Sequence, residues 1–191
     1  MNLSNIKTNK KKNCYGSVSN QETLPISSDT LLNTLSDWNI NFKLFEHIPL
    51  NTVEESKIYY SSLGQTEVSI AHIKNLYLRD HKKHNYLLVV QQDKKIDLKQ
   101  LSILIKAGRL SFGSPDRLLE FLGVRPGAVT PLAMINGIKK GVNLFLDIDL
   151  RSYLKIYAHP LVNNRTVEIS IKDIDFFFNK VGVTANWIDL K

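Results

Sequence analysis

Apolar residues recur at helical spacing in five segments of the chain. In the first segment, Leu31, Leu32, Leu35 and Trp38 fall on one face of a helix, because residues three and four positions apart are neighbours on a helix surface. The predicted helices span residues 29–38, 52–63, 97–106, 114–122 and 172–181.

Alternation of apolar and polar residues predicts the strands, most clearly from Phe42 to Ile48. The strands come in runs rather than in strict alternation with helices. We therefore predict an α+β fold, a single domain over residues 21–191 with a mixed, mostly antiparallel sheet and flanking helices. The predicted strands span residues 42–48, 68–80, 86–91, 143–148, 154–158 and 166–171, with a short terminal strand around 187–188.

Residues 1–20 lack apolar periodicity and are rich in Asn, Ser and Lys, which predicts a disordered tail. The tail carries four lysines and no acidic residue, so it holds +4 of the formal net charge of +7 and leaves +3 for residues 21–191. Its run of three lysines is either a weak RNA-contacting arm or a solvated terminus, and we favour the second. The tail lacks the apolar stretch of a secretory signal. No segment has the ~18 apolar residues that cross a membrane, so we expect no membrane partner.

Several common enzyme motifs are missing from the sequence. It has no GxGxxG, GxxxxGK[ST], HExxH or GxSxG pattern, which are typical of dinucleotide, nucleoside triphosphate, zinc and serine hydrolase sites. The single cysteine, Cys14, lies in the predicted tail, so neither a disulfide nor a catalytic cysteine is expected. We expect no cofactor, no metal and a reducing, cytoplasmic location. A hydrolase of this kind has to act through a positioned water.

Three polar segments are candidates for chemistry. The first contains Lys74 and Asn75 side by side in a strand. Because successive strand residues face opposite ways, one of them can point into a pocket beside Leu76. The alternative is an edge-strand lysine that discourages aggregation.

The other two segments contain proline. The loop from Gly123 to Pro131 is predicted to be stiff, with backbone amides able to receive an oxyanion, although it can equally be a structural turn. In the third segment, Pro160 forces His159 into an extended backbone, which sets the direction of the ring toward a substrate or water. The alternative for His159 is a buried structural histidine.

Together, the stretches IKNLYLRD, GVRPGAVTPLAMIN and HPLVNNRT resemble the freestanding prolyl-tRNA editing proteins. Those are alanyl-tRNA(Pro) deacylases, related to the editing insertion of bacterial prolyl-tRNA synthetases and to the YbaK family. The resemblance runs from about Ser27 to Trp187. It implies a mixed, mostly antiparallel sheet with flanking helices, and hydrolysis in trans of alanine mischarged on tRNA(Pro).

The resemblance also implies roles for four positions. Lys74 would hold a phosphate or the ribose of the terminal adenosine, and Asn75 would meet the aminoacyl ester or its amine. Gly127 and the loop to Pro131 would stabilise the oxyanion through backbone amides, and His159 would position substrate or water. The ribose hydroxyl beside the ester is expected to help activate the water.

Selection between amino acids is then a matter of size. Alanine is smaller than proline, so a pocket that admits alanine must reject proline sterically, as the second sieve of an editing scheme. The expected substrate-binding walls are Ile70, Leu76, Val129, Thr130, Pro131 and Leu132.

Other functions stay open on the sequence alone. One is a deacylase of the same superfamily for Cys-tRNA(Pro) or for a seryl- or threonyl-tRNA, and another is a non-catalytic module that binds tRNA or a synthetase. The expected partner is mischarged tRNA(Pro), with prolyl-tRNA synthetase as a second candidate. The basic stretches at residues 139–140 and 151–155 either contact tRNA or solvate the surface, and we favour the surface interpretation.

Overall fold

In the computed structural model, the described residues are 16–50, 55, 57–59 and 69–191. Their strands are β1 (Phe42–Glu46), β2 (Ile70–Asp80), β3 (Asn85–Gln91), β4 (Leu110–Phe112), β5 (Val142–Asp147), β6 (Lys155–Ala158), β7 (Arg165–Ser170) and β8 (Asn186–Ile188). These strands form an eight-stranded sheet in the order β1-β7-β6-β2-β3-β5-β8, with β4 paired to β2.

The sheet is mixed. The antiparallel pairs are β1–β7, β6–β7, β2–β3 and β2–β4, and the parallel pairs are β2–β6, β3–β5 and β5–β8. Helices flank this sheet, so the predicted α+β class with a mixed, mostly antiparallel sheet is confirmed.

The helices are α1 (Ser28–Asp37), α2 (Leu98–Leu104), α3 (Pro115–Arg117), α4 (Met134–Gly137) and α5 (Ile171–Val181). A π-helical turn, Leu118–Leu122, continues α3. Short 3-10 turns cover Val18–Thr23, Pro131–Ala133, Ile138–Lys140 and Ile148–Ser152. Within the described ranges, no helix combines the length and apolar character needed to span a membrane.

Capping residues explain where the main helices begin. The Ser27 hydroxyl accepts from the Thr30 N–H at the start of α1, and the Ser170 hydroxyl accepts from the Asp173 N–H at the start of α5. Each helix therefore starts one residue earlier than predicted. Of the predicted helix over 52–63, Glu55 and residues 57–59 are helical, and the remainder lies outside the described residues, as does the predicted start of β2 at Val68.

The two faces of β2 contribute to different parts of the core. Ala71 and Tyr77 belong to the main cluster, which packs the sheet against α1 and α5. Leu78 belongs to a second cluster with Leu101 of α2, and a small third cluster centres on Ile70 and Tyr157. The alternation along β2 thus separates the odd-numbered from the even-numbered side chains.

The folded part of the chain begins before the predicted boundary at residue 20. Residues 16–20 are described, and Val18 starts a 3-10 turn. The Asn163 N–H donates to the Gly16 carbonyl at 2.9 Å, and the Val18 N–H donates to Asn164 Oδ1 at 2.7 Å. The tail prediction for residues 16–20 is therefore wrong, because polar hydrogen bonds rather than an apolar stripe dock this segment. Residues 1–15, including Cys14, lie outside the described residues.

Candidate active site

Strand β2 has a break in its pairing along one edge. On one edge, β3 pairs continuously with residues 73–79. On the other, β6 pairs with residues 70–72 and β4 with residues 78–80. Between them, residues 73–77 have no strand partner on that edge in the described part of the chain. Strand β6 ends at Ala158, two residues before Pro160, which has no N–H to continue a ladder.

Asn75 lies at this break and is joined to the glycine- and proline-rich loop. Its Nδ2 donates to the Val129 carbonyl oxygen at 2.9 Å. A carbonyl oxygen can only accept, so this bond sets the orientation of the amide. Asn75 Oδ1 is then buried with no hydrogen-bond partner among the described residues. Leaving a buried acceptor unpaired costs about 1–3 kcal/mol.

Lys74 faces the opposite side of the sheet from Asn75, as the strand period dictates. Its Nζ donates to the carbonyl oxygen of Lys94, in the turn after β3. The ammonium of Lys94 lies 2.9 Å from Asp147 Oδ2 and 2.7 Å from Asp149 Oδ2. Asp147 has no exposed surface, so this buried ion pair holds the turn that contacts Lys74.

The loop contains a tight turn that requires glycine. The Ala128 N–H donates to the Arg125 carbonyl at 3.0 Å, and Gly127 has a φ of +87°. Proline followed by a positive-φ glycine is the sequence of a type II turn. Because the Ala128 N–H closes this turn, that amide of the predicted oxyanion set is not available to a substrate.

The second half of the loop is supported from inside the protein. The Thr130 hydroxyl accepts from the Leu132 N–H at 3.3 Å and caps the 3-10 turn that begins at Pro131. Thr130 and Leu132 have no exposed surface, and Pro131 is also buried. These three buried residues anchor the second half of the loop in the core, whereas Val129 is only partly buried.

His159 follows the end of β6 and has a defined tautomer. Its Nδ1–H donates to the Arg165 carbonyl oxygen at 2.8 Å, which leaves Nε2 as the acceptor of the neutral ring. Burial, against the hydrogen bond to Arg165 and with a smaller contribution from the nearby His47, lowers the pKa of His159 to about 4. The ring is therefore neutral at pH 7. Two residues later, Leu161 has a φ of +67°, a left-handed conformation that is strained for leucine.

His47 was not found from the sequence, since it lies in the plain alternation of the β1 region. Its Nδ1–H donates to the Ile48 carbonyl at 2.7 Å, and its Nε2 accepts from the Thr166 hydroxyl at 2.9 Å. Thr166 Oγ1 is 3.5 Å from His159 Nδ1, and the two imidazole rings are 6.1 Å apart. Burial lowers the pKa of His47. No group of three His, Cys, Asp or Glu side chains that could hold a metal ion occurs within the described ranges.

The backbone carbonyl of Arg165 fixes the His159 tautomer, and the Arg165 side chain holds this backbone in place. Its guanidinium binds Asp29 of α1 and lies 2.9 Å from Glu46 of β1. The hydrogen bonds from Arg165 and Gln21 lower the pKa of Asp29. This ion-pair network also escaped the sequence analysis, because Arg165 lies more than a hundred residues from each of the two carboxylates.

Pairwise contacts bring the three polar segments together. Asn75 binds Val129, so the first segment meets the second. Gly16 lies against both the loop and the third segment, since a Cβ there would be 2.9 Å from the Pro126 carbonyl oxygen and 3.3 Å from Asn163 Cγ. Strand pairing of β2 with β6 joins the first segment to the third, and the His72 and Tyr157 rings are 5.1 Å apart.

The six predicted wall residues do not form one surface. Ile70 packs with Tyr157 in the third cluster, and Leu76 packs against the second cluster. Val129 and Leu132 belong instead to the main cluster, on the Asn75 side of the sheet. No described contact joins Lys74, Gly127 and His159 directly. Their assignment as one catalytic group therefore stays a prediction.

Among the described strands, the mixed sheet thus has an open edge at Lys74 and Asn75, and Asn75 joins this edge to the loop through Val129. The aminoacyl-tRNA editing domain family matches residues 51–177. The chain belongs to this family, and the resemblance recognised from the three segments is confirmed.

Curated relatives extend this similarity along the chain. The prolyl-tRNA editing protein ProX of Acetoanaerobium sticklandii is 36% identical over 158 residues, which cover 82% of this chain and 93% of the relative. Prolyl-tRNA synthetase associated domain-containing protein 1 of Danio rerio is 34% identical, covering 76% of this chain and 78% of that protein. A crystal structure of a candidate trans-editing enzyme for prolyl-tRNA synthetase has a TM-score of 0.60 at 20% identity, covering 86% and 98% of the two chains. This last likeness concerns the fold.

Proposed function

We propose that the protein hydrolyses the aminoacyl ester of mischarged alanyl-tRNA(Pro) in trans, releasing alanine and free tRNA. Membership of the aminoacyl-tRNA editing domain family supports the reaction type. The 36% identity to a protein named for prolyl-tRNA editing supports tRNA(Pro) as the substrate class. Alanine as the amino acid follows from the motif resemblance and is the finer part of the proposal.

The observation that carries the proposal is the unpaired acceptor of Asn75. Nδ2 uses one of its two N–H groups on the Val129 carbonyl, and the buried Oδ1 is the acceptor that we assign to the substrate. An acceptor without a donor among the described residues suits the α-ammonium group of an aminoacyl ester, because hydrogen bonds to charged donors are among the stronger ones. Recognition of the amine at this position places the ester carbonyl beside the Gly127–Val129 turn.

The chemistry then needs positioning rather than a protein nucleophile. Water adds to the ester carbonyl, and the developing oxyanion is stabilised by the Gly127 and Val129 N–H groups. Collapse of the tetrahedral intermediate breaks the bond to the ribose oxygen, which takes up a proton and leaves as the free hydroxyl of the tRNA. His159 Nε2 is available as an acceptor for water or a ribose hydroxyl. Lys74 supplies a cation for a phosphate or ribose of the terminal adenosine.

Selection against proline is by size. Alanine fits beside the turn, whereas the larger proline ring clashes with the loop. Thr130, Pro131 and Leu132 anchor this loop in the core. Steric exclusion suits this task, because binding contacts alone discriminate poorly between small apolar groups. The proposed location is the cytoplasm, where aminoacyl-tRNA is used, and prolyl-tRNA synthetase is the proposed protein partner.

A panel of mischarged tRNAs tests the proposal. The purified protein is incubated with Ala-, Cys- and Pro-tRNA(Pro) and with Ser- and Thr-tRNA, and release of each amino acid is followed in single turnovers. We expect rapid release of alanine and retention of proline. Retention of alanine with release of another amino acid assigns a different deacylase substrate. Binding of tRNA without any release leaves a non-catalytic module.

A further inference from the structure

A basic surface that the proposed chemistry does not use lies at the end of the β2–β3 hairpin. The hairpin turn supplies His81, Lys82, Lys83 and His84, and the segment before β4 supplies Lys106 and Arg109. All six side chains are exposed. This surface is the hairpin patch.

A buried carboxylate joins the two segments of the hairpin patch. Asp80 accepts from the His84 N–H at 2.9 Å, from His84 Nδ1 and Tyr86 Oη at 3.0 Å, and from the Gly108 N–H at 3.4 Å. Burial raises the pKa of Asp80, but these hydrogen bonds outweigh burial and hold it well below its usual range. Asp80 is only 1% exposed, so its charge is engaged inside the fold while the cations point outward.

The cations of the hairpin patch are not neutralised by the protein. Lys82, Lys83, Lys106 and Arg109 form no ion pair with any described residue. Residues 21–191 carry a formal net charge of +3. These four side chains supply +4, so the rest of that region is close to neutral. The hairpin patch therefore presents a formal charge of +4 that no described carboxylate pairs.

The basic stretch at residues 151–155 already makes ion pairs within the protein. Arg151 pairs with Asp175 at 3.4 Å and lies over the Trp187 ring. Lys155 pairs with Glu168 at 2.7 Å. Of the two basic stretches noted in the sequence, only the pair at residues 139–140 stays exposed without an ion pair in the described structure.

The hairpin patch lies along the same strand as the break. Arg109 immediately precedes β4, which bounds the break, and Lys82 follows the end of β2. Asp80 lies five positions after Asn75 along β2, a distance of about 17 Å. At about 3.4 Å per nucleotide of one strand, this corresponds to about five nucleotides.

We propose that the hairpin patch binds the phosphate backbone of the tRNA acceptor end, about five nucleotides from the terminal adenosine. This inference rests on the proposed function, since it takes the terminal adenosine to lie at the break. The recognition is electrostatic and independent of sequence, because cations that contact phosphates carry no base information.

The test compares two lysine pairs on the full chain. In Lys82→Ala/Lys83→Ala, we expect the Kd for uncharged tRNA(Pro) to rise and the slope of log K against log salt to fall by about 1.8, at about 0.9 per lost phosphate contact. The matched control is Lys139→Ala/Lys140→Ala, an exposed pair on the Ile138–Lys140 turn, which should leave both quantities unchanged. The single-turnover rate at saturating alanyl-tRNA(Pro) should be unchanged in both variants.

Two results would contradict RNA binding by the hairpin patch. One is an unchanged Kd and salt slope in the Lys82/Lys83 variant, and the other is an equal weakening of tRNA binding in the control variant. The proposed function fails separately. If no mischarged tRNA is deacylated while binding of uncharged tRNA depends on the patch, the patch stands and the deacylase proposal falls. If alanyl-tRNA(Pro) is deacylated while the variant binds tRNA like the parent protein, the deacylase proposal stands and RNA binding by the patch falls. Loss of affinity for a synthetase, with tRNA binding unchanged, would also contradict RNA binding by this surface.

Discussion

The side-chain amide of Asn75 donates to the backbone carbonyl of Val129, across 54 residues of sequence and at 2.9 Å. This bond ties the interrupted edge of β2 to the loop that carries the Gly127 turn. It also sets the orientation of the amide, because Nδ2 donates to Val129 and Oδ1 has no hydrogen-bond partner among the described residues. One hydrogen bond thus shapes both the loop and the candidate amine site.

Replacing Asn75 tests this arrangement. In Asn75→Ala, we expect the single-turnover deacylation rate to fall about 10- to 100-fold, because a hydrogen bond to a charged amine is worth about 1.5–3 kcal/mol. Asn143→Ala is the control, since Asn143 also donates to a backbone carbonyl, that of Asn85 at 3.3 Å, but lies on β5. Equal activity of the Asn75 variant and the parent protein would contradict the role of Asn75.

The pH dependence of the reaction reports on His159. Its lowered pKa of about 4 keeps Nε2 unprotonated well into acid. We expect the single-turnover rate to stay level from pH 7 to 5.5, whereas a histidine with an ordinary pKa of about 6.5 would lose about 90% of its neutral form. A pH–rate profile checks this, together with an NMR titration of the ring. A midpoint of activity near pH 6.5 would contradict it.

The same pKa predicts an effect on stability. The folded state resists protonation of His159 down to about pH 4, whereas the unfolded chain takes up that proton near pH 6.5. The unfolded state binds more protons between these values, so the contribution of His159 to the free energy of unfolding falls as pH drops from about 6.5 to about 4. Urea unfolding of the parent protein and His159→Gln across this range measures the difference, which should be smaller at low pH.

The turn at Gly127 should be sensitive to any side chain. Gly127→Ala forces a non-glycine residue into a φ of +87°, which costs about 1–2 kcal/mol and shifts the Gly127 and Val129 amides. Gly141→Ala is the matched control, since its φ is +69° and nothing lies within 4 Å of an added Cβ. We expect similar losses of stability in thermal unfolding. The deacylation rate should fall in the Gly127 variant only, and equal rates would remove this loop from the site.

The buried pair of Lys94 and Asp147 should be strongly coupled. Lys94→Met leaves a carboxylate with no exposed surface uncompensated, so we expect a loss of about 3–5 kcal/mol in the free energy of unfolding. Adding Asp147→Leu should recover much of that loss, because an apolar pair replaces the unpaired charge. Urea unfolding of both variants measures the coupling. Additive losses in the double variant would contradict it.

Local signals predicted most of the regular elements. The apolar stripe of α5 predicted this helix, although its serine cap sets the start one residue before the predicted one. Strand β4 was missed because three residues are too few to show alternation. The docking of residues 16–20 was missed because it depends on Asn163 and Asn164, far along the chain.

By itself, the sequence determined the α+β class, the family and the opposite orientations of Lys74 and Asn75, since these follow from local periodicity and contiguous motifs. Only the tertiary structure decided that one edge of β2 has no strand partner over residues 73–77 in the described part of the chain, that Asn75 donates to Val129, and that His47 and Arg165 lie beside His159. Those features arise between residues distant in the chain. The physical reason is that hydrogen-bond partners and desolvation are set by which surfaces meet, and a one-dimensional pattern does not contain that information.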